Sequence, residues 1–289
     1  MEECSHDRTF VPLDQLDTVR EEKSMSFLEH LEELRWHLLR SVIAIVVFAI
    51  VGMVNYRFIF DKIIFGVTEP DFPLYRWFCA LSHKLYNSDK ICLNVIPVET
   101  QNLEVSGQFI YLMVVGFTVG IILATPYILW EFWRFFKPAL KEKEQKYTTG
   151  IVFITSLLFF VGVLFGYYIL TPLCVNFFVN FNLTDNIENH FTIRSFVSFI
   201  TTLTLASGII FELPLVIFFL AKLGIVTAAF LRKFRRHAMV VILILASVIT
   251  PPDVMSQILL SIPVYILYEI GIFIARRIEN KAKKSEQTT

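Results

Sequence analysis

FLEHLEELRWHLLRSVIAIVVFAIVGMVNYRF, residues 27–58, runs without a break from a charged amphipathic segment into an uncharged apolar stretch. Phe27, Leu31, Leu34 and Leu38 recur at four- and three-residue steps and share one apolar stripe of a helix. Glu29 and Glu33 stand one turn apart. Like charges at that spacing cost an isolated helix roughly 0.2–0.5 kcal/mol until a cation sits across them. A basic ligand would relieve the pair, and a solvated anchor helix at a membrane surface is the plainer reading of the same stretch.

A bilayer crossing needs about 20 mostly apolar residues. The run at about 38 to 58 is the first of six, followed by about 107 to 130, 149 to 171, 195 to 221, 238 to 250 and 254 to 275. The chain of 289 residues is 55% hydrophobic, 15% aromatic and only 18% charged, with a mean hydropathy of +0.60. That composition is too apolar for an ordinary soluble domain. The sequence therefore predicts an all-α, polytopic membrane protein of six transmembrane helices. The fifth run is short: its roughly 13 residues reach about 20 Å, against a hydrocarbon core of ~30 Å. Local bilayer thinning follows as an expectation.

Lys and Arg set the orientation, because cytoplasmic loops retain them. Arg35 and Arg40 precede the first span, Arg134 to Lys146 carry five cations after the second, Lys222 to Arg236 five after the fourth, and Arg276 to Lys284 five after the sixth. The opposite loops are poor in them, so both termini are expected to be cytoplasmic. Residues 1–24 read as a polar cytoplasmic tail with neither a signal-peptide core nor a transit-peptide bias, so no leader is expected to be removed. Residues 25–277 read as the membrane domain and 278–289 as a charged cytoplasmic tail.

Net charge is zero, which gives no electrostatic case for nucleic acid. No HExxH, GxSxG, P-loop or GxGxxG motif occurs, the six histidines are scattered, and the four cysteines lack metal-ligand spacing. Enzymatic catalysis, a resident metal and a cofactor are thus all unexpected. Cys79 and Cys92 both fall in the long first outer loop, about 59 to 106, where an oxidising compartment permits a disulfide; free thiols are the alternative, since spacing does not fix connectivity. In the same loop Leu74, Trp77, Phe78, Leu81 and Leu85 fit a short amphipathic helix that lies on the membrane or caps the bundle.

Glu212, in GIIFELPLVIFF, is the one acid in the middle of the fourth span, where a charge costs about 2.5–3.5 kcal/mol on insertion scales. Pro214 frees a carbonyl nearby. Two readings stand: a functional acid, or a neutral carboxyl hydrogen-bonded to a neighbouring helix. Glu269 lies nearer the interface. Trp130, Trp133, Phe135 and Phe136 suit an interfacial aromatic belt, Glu144 sits in what reads as a solvated charge run, and Asp253 is placed to cap a helix start. Pro126, Pro172, Pro214, Pro251, Pro252 and Pro263 predict bent helices.

FLEHLEELR before the first span, P-x-x-L-x-x-x-W-x-F-x-x-P-A-L-x-x-x-E around the second, FELP in the fourth, and TPPDVMSQ followed by IP and YEIG together resemble TatC, the six-span receptor subunit of the twin-arginine protein translocase. The resemblance covers roughly residues 25 to 277. It implies a receptor for the paired-arginine signals of folded cargo proteins, a core scaffold for TatA- and TatB-type single-span subunits, self-association in a receptor complex, and export powered by the proton-motive force. It matches Glu33 and Glu144 to the acids that receive the arginine pair, Arg35 and Phe135 to neighbouring functional positions, Glu212 to an acid of the bundle interior, and Asp253 to an outer-side aspartate. Two departures stand out. His37 replaces a basic residue two positions after the motif arginine, and Gln145 and Lys146 follow Glu144 where a basic pair is usual. The rival reading from another class is a proton-coupled small-solute transporter titrating Glu212.

Overall fold

The computed structural model describes residues 27–86, 100–136, 148–181, 190–250 and 254–286. Among them the chain is helical almost throughout, because a backbone in lipid must satisfy its own polar groups. Helix α1 spans Phe27–Val54. A short α2, Tyr56–Phe58, leads through a π-turn at Ile59–Ile64 and a 3-10 turn at Phe65–Thr68 into α3, Pro73–Tyr86. Helix α4 is Gly107–Phe136. The next crossing is built from α5, Thr148–Phe165, a π-segment Gly166–Leu170, and α6, Thr171–Asn180. Helices α7, Ile193–Phe211, and α8, Leu213–Lys222, form another. Then follow α9, Ala228–Lys233, α10, Arg235–Ile249, and α11, Val254–Glu286.

Five segments are long and apolar enough to cross a membrane: Glu32–Val54, Gly107–Phe135, Gly150–Asn180, Ile193–Lys222 and Ser256–Asn280. The sixth expected crossing is α10, whose 15 residues reach about 22 Å. With it counted, α1 begins and α11 ends on one side, here the terminal face. The other side is the capped face.

Small residues set how closely the helices approach. A Cβ on Gly120 would stand 2.8 Å from the Ile45 carbonyl oxygen and the Ala49 nitrogen. Gly116, one turn earlier, meets Met53, so α1 and α4 pack backbone to backbone along their length. Gly162 does the same for α5 against α7, where a Cβ would stand 2.7 Å from Phe211. Helix α11 packs on α8, and the core around Leu170, Ile217, Leu260, Val264 and Ile272 holds this half together.

The capped face is tied by a two-stranded parallel pairing, β1 (Thr100–Gln101) with β2 (Phe191–Thr192). Arg194 reinforces it by donating to Glu104 at 2.8 Å, and the Tyr111 hydroxyl donates to the same carboxylate at 3.0 Å. These bonds, Arg194 first, hold the Glu104 carboxyl below its usual value.

The helix expected from Leu74 to Leu85 is present as α3, but Trp77 is exposed. Its inner contacts come instead from Phe72, Tyr75 and Leu74, which pack with Val67 and Tyr167. Burial pushes the Tyr75 hydroxyl up to about 12, and that hydroxyl donates to the Val67 carbonyl at 3.1 Å.

The third crossing is longer than its sequence suggests. Pro172 lies near the start of α6 instead of ending the span. The π-segment before it absorbs the missing donor, and the Thr171 hydroxyl bonds the Gly166 carbonyl at 2.8 Å. Pro126 and Pro263 sit inside unbroken helices, whereas Pro214 follows a true break at Glu212.

Candidate functional site

The N-terminal turns of α1 face α4 with a polar side chain, and the expected apolar stripe looks the other way. Leu34 and Leu38 are exposed at 42% and 63%, while His37 is buried at 7%. The physical reason is the solvent. Lipid accepts apolar side chains, so burial in such a bundle is reserved for groups that lipid would penalise.

His37 Nδ1 is hydrogen-bonded to Glu131 of α4, a residue only 1% exposed. The Tyr127 hydroxyl, one turn back on α4, donates to the other oxygen of that carboxylate at 2.8 Å. Both Glu131 oxygens are therefore partnered, which is what a buried acid requires. His37 Nε2 points the other way, 3.9 Å from Glu33 Oε1. Phe135 sets its ring edge-on to the imidazole, with centroids 6.2 Å apart at 69°.

The structure thus joins Glu33, His37 and Phe135 into one cluster and adds Glu131, which sequence reasoning missed. The acid sits in PYILWEFW, just past where the apolar run was taken to end. The rule for acids inside a membrane, applied to Glu212, would have found it had the span been read to Phe135. Glu33 is partly exposed, with 39% of its side chain accessible. Arg35 is exposed and lies about 200° around the helix from His37.

The aromatic belt divides. Trp130 is 46% exposed, with the Arg134 guanidinium 5.7 Å from its ring centre, as an interfacial residue should be. Trp133 is fully buried against Phe219, at 4.8 Å between ring centres, and belongs to the core. Spacing explains it: Trp133 is three residues from Trp130 but on the α4 side that meets α5 and α8.

Glu212 stands apart from this cluster, at the break between α7 and α8. Its backbone carbonyl accepts from Leu215 and Val216, starting the new helix. Both carboxyl oxygens are sealed from solvent and have no hydrogen-bond partner among the described residues, so the expected bond to a neighbouring helix is not made there. Glu269 is paired with Arg235 at 2.7 Å and accepts from Tyr265 at 3.3 Å. Glu144, Asp253 and Cys92 lie outside the described residues. Cys79 is disulfide-bonded, and Cys174 is a buried thiol that meets the Ser256 hydroxyl at 2.7 Å.

At the capped face α6, α7 and the end of α10 enclose a hollow of about 660 Å³, lined by Phe178, Phe196, Phe199, Val248 and Ile249 with Arg194 at its edge.

Residues 29–263 match the family described as Sec-independent protein translocase protein (TatC). The chain is 41% identical over 264 residues to the Sec-independent protein translocase protein TatC of Blattabacterium sp. subsp. Periplaneta americana, covering 90% of this chain and 98% of that one. It is 36% identical to TatCy of Bacillus subtilis, covering 90% and 92%. A crystal structure of the twin-arginine translocase receptor TatC superposes with a TM-score of 0.65 at 30% identity, covering 87% of this chain and all of that one. A second, in a detergent, gives 0.66 at 31%, covering 86% and 99%. With the family model matched over residues 29–263 and the fold shared over 87% of the chain, this chain belongs to the TatC family.

Proposed function

We propose that this protein is the twin-arginine signal-peptide receptor and core scaffold of a Tat translocase, exporting folded proteins across a bacterial cytoplasmic membrane at the expense of the proton-motive force. In this reading the terminal face is cytoplasmic, as the Lys and Arg distribution favours. The observation that carries it is Glu33, a partly exposed carboxylate at the terminal end of α1 that has, among the described residues, only the distant His37 nitrogen beside it. A guanidinium meets a carboxylate through two parallel charge-assisted bonds, which a lysine ammonium cannot reproduce. Glu144 supplies the second acid and Phe135 borders the docked arginines, while Arg35 contributes from the far side of α1.

The apolar part of the signal then inserts along the concave face of the bundle near Glu212. TatA- and TatB-type subunits and further copies of this chain complete the translocase. Asp253 holds the crossing before α11 at the outer side, and Cys79 pairs with Cys92 in the outer loop. The solute-transporter reading gains nothing from the relatives, all of which are named as translocase proteins.

The test is the affinity of a signal peptide for the purified protein and for Glu33→Ala and Glu144→Ala, with Arg-Arg and Lys-Lys versions of the peptide. Charge-dependent loss in both variants supports the assignment; unchanged affinity throughout overturns it.

A further inference from the structure

We infer that Glu131 is a positioning residue for signal docking, acting on Glu33 through His37. This rests on the docking role proposed above for Glu33. The imidazole lies between two carboxylates and reaches them with different nitrogens. Nδ1 is hydrogen-bonded to the buried Glu131, and Nε2 is 3.9 Å from the partly exposed Glu33. Tyr127 fixes the Glu131 carboxylate from the other side, and the edge of Phe135 limits rotation of the ring. The Ser41 hydroxyl donates to the His37 carbonyl, one turn along the same helix.

This arrangement has an anchored end and a free end. The anchored contact is dry and fully partnered, and the other is too long for a hydrogen bond and open to water. An arginine arriving at Glu33 therefore takes over the Nε2 contact without disturbing the Nδ1 contact. His37 keeps the Glu33 carboxylate facing the rim until the guanidinium replaces it. Glu131 itself never touches the signal, and its effect passes only through the ring. The site thus carries two acids bridged by one imidazole across α1 and α4, and the inner acid is structural in contact and functional in consequence.

The test is a double-mutant cycle on the full chain in lipid nanodiscs, reading the dissociation constant of an Arg-Arg signal peptide. Glu131→Ala is expected to weaken binding on the order of tenfold when Glu33 is present, the scale of coupling within one hydrogen-bond network. In a Glu33→Ala background it should change nothing further. Glu131→Gln keeps an acceptor for Nδ1 and should restore most of the affinity.

His37→Asn serves as the variant that spares folding. Its amide nitrogen takes the place of Nδ1 and keeps Glu131 partnered, while the arm toward Glu33 is gone. It should show the same loss, again only when Glu33 is present. Nitrogen-15 spectra of labelled histidine give an independent readout: adding peptide should move the His37 Nε2 signal and leave Nδ1 in place.

A Glu33→Ala protein that binds as wild type would overturn both the docking role and this inference. A Glu33→Ala protein that binds weakly, with Glu131→Ala and His37→Asn silent or additive to it, overturns this inference alone.

Discussion

Glu131 and His37 meet side chain to side chain across the α1–α4 interface, although 94 residues separate them in sequence. The contact lies where two close-packed helices leave no room for slippage, since Gly120 admits the α1 backbone one end further along. The N-terminal end of α1 is therefore held both by shape and by a buried polar bond. The following outcomes are expected from this and the other contacts described.

Glu33→Ala removes a charged acceptor and should cost a bound arginine about 1.5–3 kcal/mol, roughly 10- to 100-fold in affinity. The Lys-Lys peptide should bind more weakly to wild type and lose less on the substitution. Titration of fluorescent peptide against both proteins measures this.

Gly120→Leu inserts a side chain where a Cβ already has backbone at 2.8 Å. Overpacking of this kind costs about 1–3 kcal/mol. A lowered midpoint of thermal unfolding in detergent, with a smaller drop for Gly120→Ala, is the expected result; an unchanged midpoint would contradict the close approach of α1 and α4.

Glu212→Met replaces a carboxyl with no partner for either oxygen among the described residues by an apolar side chain of similar length. Removing unsatisfied buried polar atoms is worth about 1–3 kcal/mol. The variant should be more stable to heat than wild type and poorer at exporting an Arg-Arg reporter protein. Reduced stability with full export would reverse both halves of the expectation.

The Glu104 carboxyl is held low by Arg194 and Tyr111. A depressed acid contributes its stability above its ordinary value and loses it as pH falls through the folded value. Amide protection factors in residues 100–104 and 191–195, corrected for the intrinsic pH dependence of exchange, should therefore fall under acid, and Arg194→Ala should lower them already at neutral pH. The effect is small because the pair is exposed.

Cys79 is disulfide-bonded, so a maleimide should fail to label it in the unreduced protein and label it after reduction. Cys92→Ser should expose the Cys79 thiol without reductant; continued protection would assign the partner elsewhere.

The crossings were legible because lipid demands long apolar runs, and that demand is written residue by residue in α1, α4 and α11. Even the short α10 showed as a deficit in length. The orientation of α1 was not legible from a stripe rule made for water: Leu34 and Leu38 follow helical spacing faithfully and still face outward. Glu33 and Glu212 could be singled out as acids at a rim and inside a span. Glu131 escaped because Trp130 and Trp133 made its surroundings look interfacial, whereas four further residues of α4 remain within the crossing. The close approaches at GFTVG, residues 116–120, and GVLFG, residues 162–166, were present as glycines four apart. Which helix each would meet depends on the tertiary arrangement, which such a motif does not encode.

Since α1 turns His37, Ala49 and Gly52 toward α4, its azimuth matters as much as its greasiness. One extra leucine inserted after Leu39 would keep every measure of hydropathy and advance one half of the helix by about 100° relative to the other. Either the histidine or the small residues would then swing to the lipid. Val, Ile and Leu can be exchanged around the outer arc of this helix, but a single residue added or deleted would rotate its N-terminal end out of phase with the body that supports it.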